Sequence, residues 1–206
     1  MKGLFITFEG CEGSGKSTIA KMLKEELENA NIPCLFTREP GGTPISEKIR
    51  NIILDPSTPE MTSRTEALLY AASRSQHTAE KIIPALEEGK IVVCDRYLES
   101  SLAYQGAARE LGVRNIFDIN IFGGAIEPDY VLFFDISPQE SLKRIKNRNF
   151  DRLEKEELKF HENVYNYFKS QTNRNNFISI DATKPIDEVF SKVIKIIYSI
   201  KKIRPI

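Results

Sequence analysis

Five short apolar runs punctuate the chain, and several of the stretches between them repeat apolar residues at helical spacing. Leu4-Phe5-Ile6-Thr7-Phe8, Pro33-Cys34-Leu35-Phe36-Thr37, Lys90 to Asp95, Tyr130 to Asp135 and Phe177 to Asp181 each have the length and composition of a strand. After the first run, Ile19, Met22, Leu23 and Leu27 recur with Lys and Glu on the other face, which predicts a helix from about Lys16 to Ala30. Ile45, Ile49, Ile52 and Ile53 predict a short helix stopped near Asp55-Pro56. A long helix is expected from near Thr62 past Tyr70 and Arg74 towards Leu86, ended by Gly89, and a last one from about Ile186 to Ile200. Continuous apolar strands separated by helices imply an α/β fold, a five-stranded parallel sheet with helices on both faces, built as a single domain over residues 1–206. Ligands of such sheets collect at the carboxyl ends of the strands. That rule places Gly10 to Ser17, Arg38 to Gly42, Asp95-Arg96 and Asp135 on one rim.

Composition narrows the class. Hydrophobic residues at 41% and charged residues at 28% are ordinary for a soluble globular protein. The 29 Lys and Arg balance the 29 Asp and Glu, which argues against a nucleic-acid partner. No apolar run approaches membrane-spanning length and the N-terminus lacks a signal-peptide pattern, so no membrane partner is expected. Cys11, Cys34 and Cys94 are odd in number and have no metal-ligand spacing; they fit reduced thiols in a cytoplasmic protein.

The chemistry concentrates in Gly10-Cys11-Glu12-Gly13-Ser14-Gly15-Lys16-Ser17, which matches the phosphate-binding pattern G-x-x-x-x-G-K-[ST] at every fixed position. The glycines let the backbone curl so that N–H groups point at phosphate oxygens. Lys16 supplies a charge for the β- and γ-phosphates, and the Ser17 hydroxyl is placed to hold Mg²⁺. A strand before the loop and a helix after it aim a helix N-terminus at an anion. Asp95 closes an apolar strand, where a carboxylate reaches Mg²⁺ directly or through water. Asp135 competes for that role, but Ser137-Pro138 after it favours a helix-capping role instead. Arg96 adjoins Asp95 and can clamp a phosphate in a fork. Arg38-Glu39 offers a second cation and carboxylate on the rim, or a structural ion pair of the loop.

The motifs F-E-G-C-E-G-S-G-K-S-T (Phe8 to Thr18), T-R-E-P-G-G-T (Thr37 to Thr43), A-A-S-R (Ala71 to Arg74), D-R-Y-x-x-S-S-x-A-Y-Q-G (Asp95 to Gly106) and P-D-Y-V-L-F-F-D (Pro128 to Asp135) run through the chain. On these residues the sequence resembles the thymidylate kinases of the nucleoside-monophosphate kinase group, over nearly its whole length. The resemblance implies ATP-dependent phosphorylation of dTMP to dTDP, with Mg²⁺, by a homodimer built from packed helices. It places ATP on Gly10, Cys11, Glu12, Gly13, Ser14, Gly15, Lys16, Ser17 and Thr18. It puts Tyr70 against the pyrimidine, Arg74 on its O4, and Gln105 on the N3–H and a carbonyl, with Ser101 four positions before Gln105. Tyr104 lies at the sugar 2′ position, Glu12 at the 3′-hydroxyl and Pro40 beside the 5-methyl group, with Glu39 in the same site. Arg50 and Arg96 hold the monophosphate.

The basic run Lys143 to Arg152 matches the family's lid. The variable positions of the phosphate loop, Cys11 to Ser14, contain no basic residue, so the chain resembles the branch in which lid arginines serve the γ-phosphate. The lid reads R-N-F-D-R where the family often has R-G and a longer spacer, leaving Arg144, Arg148 and Arg152 as candidates beside Lys16 and Arg96 for the catalytic cations. A GTPase switch would need D-x-x-G and N-K-x-D, and an ABC-type ATPase L-S-G-G-Q; none of these occurs.

Overall fold

The computed structural model describes residues 3–145 and 151–201. Strands β1 (Leu4–Glu9), β2 (Cys34–Arg38), β3 (Ile91–Asp95), β4 (Tyr130–Asp135) and β5 (Phe177–Asp181) form one five-stranded sheet in the order β2-β3-β1-β4-β5. Every neighbouring pair is parallel. Helices α1 (Lys16–Asn29), α2 (Pro44–Leu54), α3 (Ser63–His77), α4 (Ile83–Glu87), α5 (Leu98–Ser101), α6 (Val113–Phe122), α7 (Pro138–Ile145), α8 (Leu158–Ser170) and α9 (Ile186–Lys201) connect and cover the strands.

Alternation along each strand divides the core in two. Phe5, Val92, Cys94, Val131, Phe133 and Phe177 face one layer, where they meet Ala67 of α3, Leu98 of α5, Ile116 of α6, and Val164 and Phe168 of α8. Phe133 and Phe168 stack with ring centroids 5.2 Å apart. Leu4, Ile6, Phe8, Ile91, Val93, Leu132 and Phe134 face the other layer, against Ile19, Leu23 and Leu27 of α1 and Val189, Val193 and Ile197 of α9. Both faces of the central strands β1, β3 and β4 are therefore dry, which is why these strands are largely apolar rather than alternating, while the edge strands β2 and β5 are partly exposed. The register sets Arg38 beside Asp95 and Asp95 beside Phe8. One rim thus carries the ends of β1, β2 and β3, and the phosphate loop leaves from it.

The expected helix from Thr62 to Leu86 exists as a continuous path, but a π-helical segment, Thr78–Ile82, separates α3 from α4. Pro84 follows it directly. Proline has no N–H to give to the preceding turn and its ring crowds the carbonyl there, and a widened turn accommodates both. A second π-helical segment, Leu102–Ala108, extends α5. Helices α5 and α6 lie where the sequence shows no clean apolar period, because much of what they bury is polar: Glu99, Ser100, Ser101 and Asn120. Helix α8 buries Phe160, Val164, Tyr167 and Phe168 at helical spacing.

Candidate active site

After β1 the chain must reverse into α1 in a few residues, and two glycines allow it. Gly10 has φ 138°, and a Cβ there would lie 2.7 Å from the carbonyl oxygen of Phe134. Gly13 has φ 72°, and its Cβ would meet the Ser141 carbonyl at 2.6 Å. Gly15 caps α1 without any side-chain hydrogen bond, so the first-turn N–H groups are left for an anion. Lys16 folds back inside the loop. Its Nζ donates to the carbonyls of Gly10 (3.1 Å) and Cys11 (2.8 Å) and to Ser14 Oγ (3.0 Å). Burial pulls its pKa below the ordinary lysine value, and Arg96 adds to that pull.

Ser17 Oγ donates to Asp95 Oδ2 at 2.5 Å. Two hard oxygen donors at the mouth of the loop are the chemistry that a magnesium ion takes. Asp135 is engaged elsewhere. It accepts from Tyr165 (3.0 Å), Lys169 (2.9 Å) and Ser179 (3.3 Å). It does not cap α7 as expected; Ser137 Oγ does, accepting from the Glu140 N–H at 3.3 Å.

Arg96 has φ 66°, in the left-handed region that non-glycine residues rarely adopt. Its NH1 donates to the Gly10 carbonyl (2.9 Å) and Ser100 Oγ (3.1 Å), its NH2 to Glu12 Oε1 (2.5 Å), and the guanidinium lies 5.2 Å over the Tyr104 ring. Burial works against its charge, but Glu12, Tyr104, Asp95 and Glu9 outweigh it and hold the pKa well above the usual arginine value. Below it, Glu9 is fully buried and accepts from Ser100 Oγ (2.5 Å) and the Tyr97 N–H (2.9 Å).

A cleft of about 620 Å³ opens over the loop. Besides Lys16 and Arg96, the cations lining it are Arg38, Arg50 and Arg144. Arg38 and Arg50 each donate to the Pro40 carbonyl at 2.8 Å; Arg38 forms an ion pair, but with Glu47 of α2 at 3.0 Å and not with Glu39, which Arg74 holds. Burial, then Arg38, lower the pKa of Arg50. Arg144 donates to the Ala182 carbonyl at 3.1 Å. Arg148 lies outside the described residues. Arg152 does not line the phosphate cleft; it turns to Glu66 (2.6 Å) and the Ile53 carbonyl (3.1 Å), because a buried carboxylate draws it there.

A smaller slot of about 30 Å³ adjoins the cleft, sharing Glu12, Glu39, Tyr70, Arg96 and Leu153 with it. Arg74, Tyr97, Ser100, Ser101, Tyr104 and Gln105 complete the slot, which brings together the residues expected around a base and sugar except Pro40, which lines only the cleft. Arg74 is buried and donates to Glu39 (2.7 Å), Ser101 (2.9 Å), Asn120 (2.5 Å) and the Tyr97 carbonyl (2.9 Å). Of the five N–H groups of a guanidinium, one NH2 hydrogen then remains. The Tyr104 hydroxyl is buried without a partner. Tyr70 makes no ring–ring contact among the described residues. Glu39, His77 and Cys94 bring candidate ligand atoms within 4.8 Å of one another. Their hydrogen bonds already use those atoms: Glu39 holds Arg74 and His77, His77 also meets Thr37 (2.7 Å), and Cys94 donates to the Arg96 carbonyl (3.0 Å). Sequence reasoning missed Glu9, Glu66, Ser100 and Asn120. Glu9 and Ser100 stand inside recognised motifs, while Glu66 and Asn120 carry no local pattern.

Fold and site define a phosphate-loop α/β protein with a cation-lined cleft beside a narrow recess. A model of the family described as Thymidylate kinase matches residues 8–193. The chain is 54% identical over 197 residues to the thymidylate kinase of Finegoldia magna, covering 94% of this chain and 97% of the relative. It is 50% identical over 198 residues to that of Clostridium novyi (93% and 97% covered) and 49% over 203 residues to that of Bacillus licheniformis (96% of each). The chain belongs to the thymidylate kinase family.

Glu9 generates a pH-dependent stability term. Burial pushes its carboxyl from 4.5 up to about 7, against the lowering effect of Ser100 and Arg96. Between those values the folded chain holds a proton that the unfolded chain has lost, so this group makes stability fall as pH rises. Glu9→Gln removes the ionisation. In urea unfolding the variant should gain on the wild type by about 2–3 kcal/mol between roughly pH 5 and pH 8, at about 1.4 kcal/mol per pKa unit. A flat difference across that range refutes the burial effect.

Proposed function

We propose that this chain transfers the γ-phosphoryl group of ATP to the phosphate of dTMP, releasing dTDP and ADP. The observation that carries this reading is the arrangement around Arg96. The loop with Lys16 and the uncapped head of α1 lies on one side, and the slot of Tyr70, Arg74 and Gln105 on the other. Residues Gly10 to Thr18 cradle the ATP phosphates, and Lys16 exchanges its internal acceptors for β- and γ-phosphate oxygens. Arg50 and Arg96 hold the dTMP phosphate in line. One of its oxygens attacks the γ-phosphorus while the bond to the β–γ bridging oxygen breaks and its electrons leave with ADP; no covalent enzyme intermediate is involved. Lys16, Arg96 and Arg144 face the charge that develops. Ser17 and Asp95 would hold Mg²⁺, which when bound neutralises phosphate charge.

Tyr70 stacks on thymine, the remaining NH2 hydrogen of Arg74 meets O4, and Ser101 steadies Arg74. Tyr104 excludes a 2′-hydroxyl, Glu12 accepts from the 3′-hydroxyl, and Glu39 in the slot and Pro40 in the adjoining cleft wall lie towards the 5-methyl group. The chain acts as one kinase domain, with 143–152 as its lid. No helix among the described residues is long and apolar enough to cross a membrane, and the three cysteines are free, which supports a cytoplasmic setting. A homodimer is supported by exposed apolar side chains on neighbouring helices: Leu68 of α3 (59% exposed) and Ile121 (40%) and Phe122 (95%) of α6.

Lys16→Ala should keep its circular dichroism and lose dTMP-dependent turnover of ATP; near-normal turnover removes the phosphate-loop mechanism. Arg144→Ala should lower kcat by roughly tenfold or more, the scale of a lost transition-state contact, with dTMP affinity little changed. Unchanged kcat would take Arg144 out of the transfer step. Sedimentation should give twice the chain mass for the wild type and a monomer for Leu68→Glu with Phe122→Glu; a monomeric wild type ends the dimer assignment.

A further inference from the structure

Glu66 is a fully buried carboxylate on α3 to which the phosphate chemistry gives no role. Four N–H groups converge on it: Gln105 Nε2 at 2.9 Å, Arg152 NH2 at 2.6 Å, and Arg109 Nε and NH2 at 3.4 and 3.2 Å. Both arginines are held in turn. Arg109 bonds Glu156 at 2.5 Å and lies 4.8 Å over the Phe160 ring, and Arg152 bonds the Ile53 carbonyl at 3.1 Å. The carboxylate is therefore fixed in position and direction.

A carboxylate between two guanidinium groups accepts hydrogen bonds and donates none. Gln105 must present its nitrogen to it, which turns the amide oxygen the other way. That oxygen accepts no hydrogen bond from the described residues, and Gln105 lines the slot beside Arg74. We propose that Glu66 is a specificity-determining positioning residue, locking the Gln105 amide with its carbonyl towards the base so that the slot demands a donor at ring position N3. This rests on the slot being the dTMP site. Thymine carries a hydrogen on N3, whereas cytosine carries a lone pair there and would oppose one acceptor to another. An unrestrained amide can turn over and satisfy either base.

The test is kcat/KM for dTMP, dUMP and dCMP in the wild type and in Glu66→Gln, whose own amide can offer Gln105 either an oxygen or a nitrogen. The wild type should prefer dTMP to dCMP. In the variant the dTMP:dCMP ratio should fall by roughly tenfold or more, the scale of one mismatched polar pair. The dTMP:dUMP ratio should hold, because both bases carry the N3 hydrogen. Glu66→Asp keeps an acceptor-only side chain and should retain selectivity better than Glu66→Gln. Equal losses for all three nucleotides, or an unchanged dTMP:dCMP ratio, would leave Glu66 a structural residue and overturn the inference alone. A wild type inactive on dTMP overturns the dTMP site itself and the inference with it. Should Glu66→Gln not fold, the dTMP-bound wild type decides: NMR contacts from the Gln105 Nε2 hydrogens to the Glu66 Cγ hydrogens are expected, and their absence overturns the proposal.

Discussion

A guanidinium withdrawn from water is tolerable only where protein acceptors replace the water, and Arg96 shows what that requires of its surroundings. Its acceptors come from the phosphate loop (Gly10 and Glu12) and from α5 (Ser100), while its own N–H is tied to Phe8 on β1 at 2.9 Å. Satisfying one side chain therefore fixes the loop, the end of β3 and the head of α5 relative to one another. Ser100 passes the constraint down to Glu9, which it reaches at 2.5 Å. The left-handed backbone at Arg96 is held by this set, since no single bond in it would offset the conformational cost.

The cations of the site fall into two groups by what they hold. Lys16, Arg50 and Arg144 donate mainly or wholly to neutral carbonyls among the described residues. A phosphate oxygen makes a charge-assisted bond roughly twice as strong, so the exchange on nucleotide binding is favourable and leaves no buried charge unpaired. Arg74 and Arg152 hold buried carboxylates instead, Glu39 and Glu66. Giving up such a partner leaves an uncompensated buried anion, which costs several kcal/mol. The second group is therefore fixed in place, and the position of Arg152 in the basic run says less about its task than the acceptor it meets. Arg96 belongs to both groups, with one carbonyl and one carboxylate.

The sequence made the sheet legible because strands dry on both faces are apolar end to end, and the loop legible because glycine spacing, strand and helix agree. The slot residues were placed by resemblance and not by pattern: Tyr70 and Arg74 alone would pass for a core aromatic beside a solvated arginine. What stayed hidden shares one physical cause. Glu66 meets Gln105 across 39 positions and Asn120 meets Arg74 across 46, so neither leaves a mark in any local window. Helices α5 and α6 were missed for a related reason, since half or more of what they bury is paired polar side chains. Ser137 took the capping role expected of Asp135, because Tyr165 and Lys169, on a helix the sequence did not reveal, claim the aspartate.

The slot's size follows from the same division between fixed and movable parts. About 30 Å³ is room for a water or two, far less than a pyrimidine needs. Some of the wall must give way, and the polar wall cannot: Arg74 is held by four acceptors and Gln105 by Glu66. Tyr70 and Leu153, the apolar members common to slot and cleft, have no such ties on their side chains among the described hydrogen bonds. Dispersion contacts are individually weak and re-form against a base of similar shape. On the proposed dTMP assignment, the base enters by parting these apolar walls while the polar groups stay in place. Leu153, in the apolar wall, directly follows the Arg152 that Glu66 anchors, so the fixed and movable parts of the slot meet at adjacent residues.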